Sequence, residues 1–105
     1  MNIIGDVKGK TCIIVDDIID SGGTIVNAVD ALKKSGATEV YVFITHAVLS
    51  GDATNKIKKS KIKKLIITDT IDNSQKIKNN NKIEVLSISS LMAEAIKRIS
   101  NSTSV

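Results

Sequence analysis

A chain of 105 residues, 42% hydrophobic and 25% charged, suffices for one domain with a modest core and is too apolar to stay disordered. Its net charge of +4 rests on lysine, with Arg98 the sole arginine, so anionic ligands are mildly favoured and nothing stronger follows. One cysteine rules out a disulfide within the chain, no apolar run nears the ~20 residues of a membrane span, and no basic-then-apolar leader follows Met1; the expected setting is the cytoplasm, with no membrane partner.

In chain order, "TCIIV" (11–15) predicts a short strand buried on both faces, with Cys12 a small buried hydrophobe. "TIVNAVDALKKSG" predicts a helix: Ile25, Val29 and Leu32 recur at helical spacing with Ala28 beside them. Lys33 and Lys34 suit its C-terminus, and Gly36 is a natural stop. "VYVFI" (40–44) predicts a second buried strand, joined to the first by a right-handed crossover. Residues 52–59 suggest a short helix on Ala53 and Ile57, and "LII" (65–67) a third strand. Residues 69–82, rich in Asn, Asp and Lys, read as a solvated loop, and "IEVLSI" (83–88) as a fourth strand. Ser90 is placed to cap a last helix whose apolar face is Leu91, Met92, Ala95, Ile96 and Ile99. Glu94 early and Lys97 and Arg98 late agree with the helix dipole; the tail "NSTSV" has no pattern and is expected to fray. Alternating strands and helices predict a single α/β domain over 1–105, a parallel sheet flanked by helices.

"VDDIIDSGGT" (15–24) falls where the first strand meets the first helix. Ligands bind at the carboxyl ends of strands in open α/β sheets. Gly22 and Gly23 let successive N–H groups point into one concavity, the helix beginning near Thr24 adds its positive end, and Ser21 and Thr24 add hydroxyls. This is a phosphate cradle without a cationic side chain; neither G-x-x-x-x-G-K-[ST] nor G-x-G-x-x-G is present. The neighbouring carboxylates would repel a phosphate, so they need another task. Ionised Asp is a pure acceptor, and vicinal sugar hydroxyls are paired donors. Asp16 and Asp17 suit a diol while Asp20, Ser21, Gly22, Gly23 and Thr24 form the loop around a phosphate; the ligand satisfying both is a phosphorylated ribose. Mg²⁺ suits Asp16 and Asp17, carboxylates and phosphates being its usual ligands.

Other features read more plainly. His46, alone after a strand, reads as structural. "KIKKSKIKK" (56–64) lacks aromatics and arginine and reads as a solvated surface, so no nucleic acid is expected. A receiver-type signalling domain also carries paired acids after its first strand and would use Asp69 as phosphoacceptor, but it leaves "DSGGT" without a role.

"VDDIIDSGGT" resembles the phosphoribosyl-binding loop of type I phosphoribosyltransferases and ribose-phosphate pyrophosphokinases. "NIIGDVKGK" before it, "THAVLSGDA" (45–53) and "SISSLMAEAIKRI" (87–99) resemble the C-terminal part of the second family, so the resemblance covers almost the whole chain. It implies a partial type I phosphoribosyltransferase-like fold. It also implies transfer of diphosphate from ATP to the C1 hydroxyl of ribose 5-phosphate with Mg²⁺ as cofactor, Asp16 and Asp17 contacting ribose hydroxyls and Asp20–Thr24 wrapping the 5-phosphate. The family enzyme is roughly three times longer, with most of its ATP site and a basic loop upstream. The resemblance therefore implies a fragment that binds ribose 5-phosphate, meets ATP only in the full-length enzyme, forms homo-oligomers and is inactive alone. A phosphosugar-binding module without catalysis is the alternative. The family's upstream strand beside "TCIIV" is missing, so an exposed edge and self-association are expected.

Overall fold

The computed structural model describes residues 7–100. The tail and the first half of the segment at 2–10 lie outside these residues. The elements are β1 (Thr11–Ile19), α1 (Gly23–Lys34), β2 (Glu39–Ala47), α2 (Ala53–Lys59), β3 (Lys64–Thr68), β4 (Ile83–Leu86) and α3 (Ile88–Ser100). The four strands form one sheet in the order β1-β2-β3-β4, every pair parallel. No helix among the described residues is long and apolar enough to cross a membrane.

Register decides which residues make the core. Ile14, Val42, Leu65 and Ile83 stand in one row across the sheet, and all four are buried. The next row toward the carboxyl ends is Asp16, Ile44, Ile67 and Val85. Successive strand residues point to opposite faces, so these rows share a face. Ile25, Val29 and Leu32 of α1 and Ala53 and Ile57 of α2 are buried in one cluster with it. Each fully buried aliphatic side chain there contributes roughly 1.5–3 kcal/mol.

The opposite face differs from the sequence expectation. A continuous apolar run predicts burial on both sides, yet Ile13 and Val15 are 68% and 73% exposed. Both crossover helices pack on the first face, and α3 leaves Leu91, Met92, Ile96 and Ile99 exposed. Cys12, on the outermost strand, is half-buried rather than buried.

Strand limits also differ. β1 runs through Asp16 and Asp17 to Ile19, because β2 supplies backbone partners as far as Ala47. His46 therefore lies within β2, not after it. β4 stops at Leu86, and α3 begins at Ile88, two residues before the expected cap. Ser87 takes the capping place instead. Its Oγ accepts the Ser90 N–H at 3.4 Å, and Asp69 Oδ1 accepts the Ile88 N–H at 2.8 Å. Residues 69–82 are irregular as expected but not wholly solvated: Asn73 is buried, and its Nδ2 donates to the Ala47 carbonyl at 2.7 Å.

α1 ends as its sequence predicts. Gly36 sits at φ +99°, its N–H donates to the Lys33 carbonyl, and the Ala37 N–H donates to the Leu32 carbonyl. This is a Schellman closure, which needs a left-handed residue after the cap. A Cβ on Gly36 would stand 3.2 Å from Lys8 Cα.

Three urea unfolding measurements test this account. Ile67→Ala, at a fully buried position, should cost about 2–5 kcal/mol. Ile96→Ala, equally apolar in sequence but 58% exposed, should stay within about 0.5 kcal/mol. Gly36→Ala should cost roughly 1–3 kcal/mol through strain and the Lys8 contact.

Candidate functional site

The chain leaves β1 at Ile19 and enters α1 at Gly23, so Asp20, Ser21 and Gly22 make a three-residue loop at the carboxyl end of the sheet. Gly22 is the N-cap, in the left-handed region at φ +86°, and no side chain caps the helix. Its carbonyl accepts the Val26 N–H at 3.0 Å, but no acidic residue occupies the first turn. The first N–H groups of a helix have no intrahelical acceptors, and here nothing from a side chain replaces them. Such an uncapped, acid-free helix N-terminus is suited to an anion.

The loop after β2 braces this one. The Val48 N–H donates to the Ile19 carbonyl at 2.9 Å, and the Ser50 N–H to the Asp20 carbonyl at 3.0 Å. The Ser50 hydroxyl donates to Asp20 Oδ1. Leu49 between them is buried at φ 54°, an unusual conformation for a bulky residue and one held by its surroundings. A Cβ at Gly22 would meet Ala53 at 3.8 Å, so the two loops are in near contact. Nothing lies within 4 Å of a Cβ built on Gly23.

A cavity of about 280 Å³ opens here, lined by Asp16, Asp20, Ser21, Gly22 and Thr24 with Ile18, Ile19 and Ile25. Five of the seven residues singled out in the sequence thus share one cavity. Asp17 and Gly23 lie outside its lining. Asp17 follows Asp16 in β1, and its N–H donates to Asp16 Oδ1 at 2.8 Å. No trio of His, Cys, Asp or Glu among the described residues is grouped to hold a metal. Protein side chains alone therefore do not form a Mg²⁺ cage. A Mg²⁺ ion beside Asp16 would need further oxygen ligands, such as those of bound phosphates, its usual manner of binding.

Ser50 and Ala53 were not identified as site residues from sequence. Their signal is positional: "LSGDA" follows β2 at the sheet end that carries the β1 loop. His46 is exposed, with Nδ1 3.0 Å from Thr70 Oγ1, a tie from the end of β2 to the loop after β3. Asp69 has one oxygen engaged by the Ile88 N–H. Asp72 accepts the Ser74 N–H, and that bond, followed by one from the Ser74 side chain, holds its carboxyl below the ordinary range. In the basic segment Ile57 and Ile62 are core residues, which fixes the lysines around them on the outside.

Comparison with known proteins agrees along the whole chain. Residues 1–105 match the family model described as phosphoribosyl synthetase-associated domain. The chain is 50% identical to a ribose-phosphate pyrophosphokinase of Vibrio parahaemolyticus and 52% identical to one of Hyphomonas neptunium, in each case over all of its own length and 33% and 34% of theirs. The crystal structure of phosphoribosylpyrophosphate synthetase from Mycobacterium smegmatis superposes with a TM-score of 0.78 at 40% identity, covering 94% of this chain and 33% of that one. The chain thus spans about a third of the length of the relatives it matches. A receiver domain is left without support, and the chain belongs to the phosphoribosyl synthetase-associated domain family.

Proposed function

We propose that this chain is the ribose 5-phosphate-binding part, C-terminal in the longer family enzyme, of a ribose-phosphate diphosphokinase. The observation that carries the reading is the uncapped N-terminus of α1 sharing a cavity with Asp16 and Asp20. Backbone N–H groups around Gly23 and the Thr24 and Ser21 hydroxyls hold the 5-phosphate. Asp16 accepts a ribose hydroxyl, with Asp17 beside it as the second acceptor. The bond from Ser50 keeps Asp20 turned into the loop, away from the phosphate oxygens it would repel. The sugar is thereby fixed with its C1 hydroxyl outward.

In the complete reaction that hydroxyl attacks the β-phosphorus of ATP, forming the C1–O–P bond as AMP leaves. Positioning and charge stabilisation supply most of the acceleration in such transfers. Mg²⁺ supplies charge neutralisation on the phosphates. The groups that bind ATP belong to the remaining two-thirds of the family's length. The alternative, a phosphosugar-binding module that takes part in no catalysis, shares the same site and differs only in whether a partner half completes it.

Two outcomes are expected. In calorimetry with ribose 5-phosphate, Gly23→Val should abolish binding while leaving the fold intact, since its side chain enters open space where the phosphate would sit. Asp16→Asn and Asp17→Asn should each weaken binding by roughly tenfold or more, the loss of a hydrogen bond to a charged acceptor. Unchanged affinity in all three variants refutes the assignment. In a coupled assay with ATP, Mg²⁺ and ribose 5-phosphate, the purified chain should stay at background, because each missing charge-stabilising group commonly costs ~10²-fold or more. Turnover at an ordinary enzyme rate would overturn the division of labour between the two parts.

A further inference from the structure

A cleft of about 550 Å³ lies between α1 and the end of α2. Val26, Asp30 and Lys34 wall it along α1, and Lys56 and Lys59 of α2, with Lys61 just beyond, wall it on the other side. From Val26 to Lys34 is two turns of helix, roughly 12 Å. All four lysines are exposed, and among the described residues none of their ammonium groups makes a hydrogen bond or ion pair. A fifth ammonium, that of Lys82, donates to the carbonyl of Ser60, which also lines the cleft. Against these stand Asp30, which pairs with none of them, and the C-terminal ends of α1 and α2. A helix end carries about half a negative charge, so an excess of about three positive charges stays in the cleft. The whole chain carries only +4, so this is where most of its net charge is concentrated.

We propose that this cleft is a second anion site, separate from the cavity at Asp20–Thr24, and that its ligand is a short linear polyphosphate. The donors select that chemistry. A lysine ammonium is a point charge that meets phosphate oxygens without a fixed direction, whereas planar bidentate recognition of a single carboxylate or phosphate favours arginine. No arginine and no aromatic residue lines the cleft, so a nucleobase has no surface to stack on. One phosphate would meet only part of the excess charge. A few phosphates in line match both the charge and the two-turn length, with ammonium groups on either wall to receive them. The buried Ile57 and Ile62 hold the basic segment against the core, so the lysines beside them are presented from a fixed backbone. The site draws on none of the residues assigned to ribose 5-phosphate and stands whether or not that reading holds.

Calorimetry with sodium tripolyphosphate at low salt tests this, run on the wild-type chain and in the Gly23→Val background so that the phosphate cradle does not compete. Both should show saturable binding. In isotope-labelled chain the ligand should shift the signals of Lys34, Lys56, Lys59 and Lys61. Lys59→Gln should weaken binding about tenfold, the scale of one lost charge-assisted hydrogen bond, and Lys59→Arg should keep it. Lys97→Gln, an equal loss of charge on α3, should leave it unchanged. ATP, and a single-stranded RNA with three phosphates, should bind no more tightly than tripolyphosphate. Binding that Gly23→Val abolishes would place the polyphosphate in the cradle instead. That outcome, an equal loss from Lys59→Gln and Lys97→Gln, a preference for ATP or RNA, or no saturation at millimolar ligand would each overturn the proposal.

Discussion

The tie between the loop after β1 and the loop after β2 is what the candidate site rests on. Three backbone hydrogen bonds and the Ser50–Asp20 contact join segments about thirty residues apart in sequence. Without that tie, the three residues between Ile19 and α1 would have only their own turn geometry to hold them. With it, Gly22 is fixed in the left-handed region, and α1 starts where its free N–H groups face the end of the sheet. Buried or half-buried loops of this kind keep their shape because their backbone groups are satisfied by a rigid neighbour. The strained backbone at Leu49 belongs to the same arrangement, held by burial and by its contact with Ile19.

The core beneath the site is one-sided. Rows from all four strands meet α1 and α2 on one face, and most of the fully buried aliphatic side chains lie there. The other face and the stripe of α3 keep large apolar side chains in solvent. A domain this small buries a modest fraction of its surface even when covered on both sides. The site is thus built on the better-packed half of the molecule, and the apolar groups left over lie on β1, β4 and α3, at the rims of the sheet.

Much of this was legible in the sequence, and the misses have identifiable causes. The central runs of β1, β2 and β3, the extent of α1 with its Gly36 stop, and the short helix on Ala53 and Ile57 all follow from local pattern. The extension of β1 through Asp16 and Asp17 does not, because strand length is set by a partner's hydrogen bonds and charged residues are tolerated at an exposed edge. One-sided burial was equally hidden: an unbroken apolar run fits a strand covered on both faces or one awaiting cover, and periodicity cannot distinguish them. Ser90 was a plausible cap by residue type, but Ser87 and Asp69 reach the helix start, and Asp69 arrives from another strand end. At the site, the carboxylates and glycines announced themselves by composition. Ser50 enters only once the sheet brings its loop alongside that of Asp20.

The strand order has a consequence for how the molecule is made. Among the described strands, β2, β3 and β4 each hydrogen-bond to the strand before them in sequence, so each finds its partner already made. During synthesis β1, α1 and β2 are made before β3, and later strands add to an existing template. Contacts between neighbouring segments close short loops and favour fast assembly. The loop between β1 and α1 and its brace precede β3 and β4 in the chain, so both can take their final shape before those strands are made.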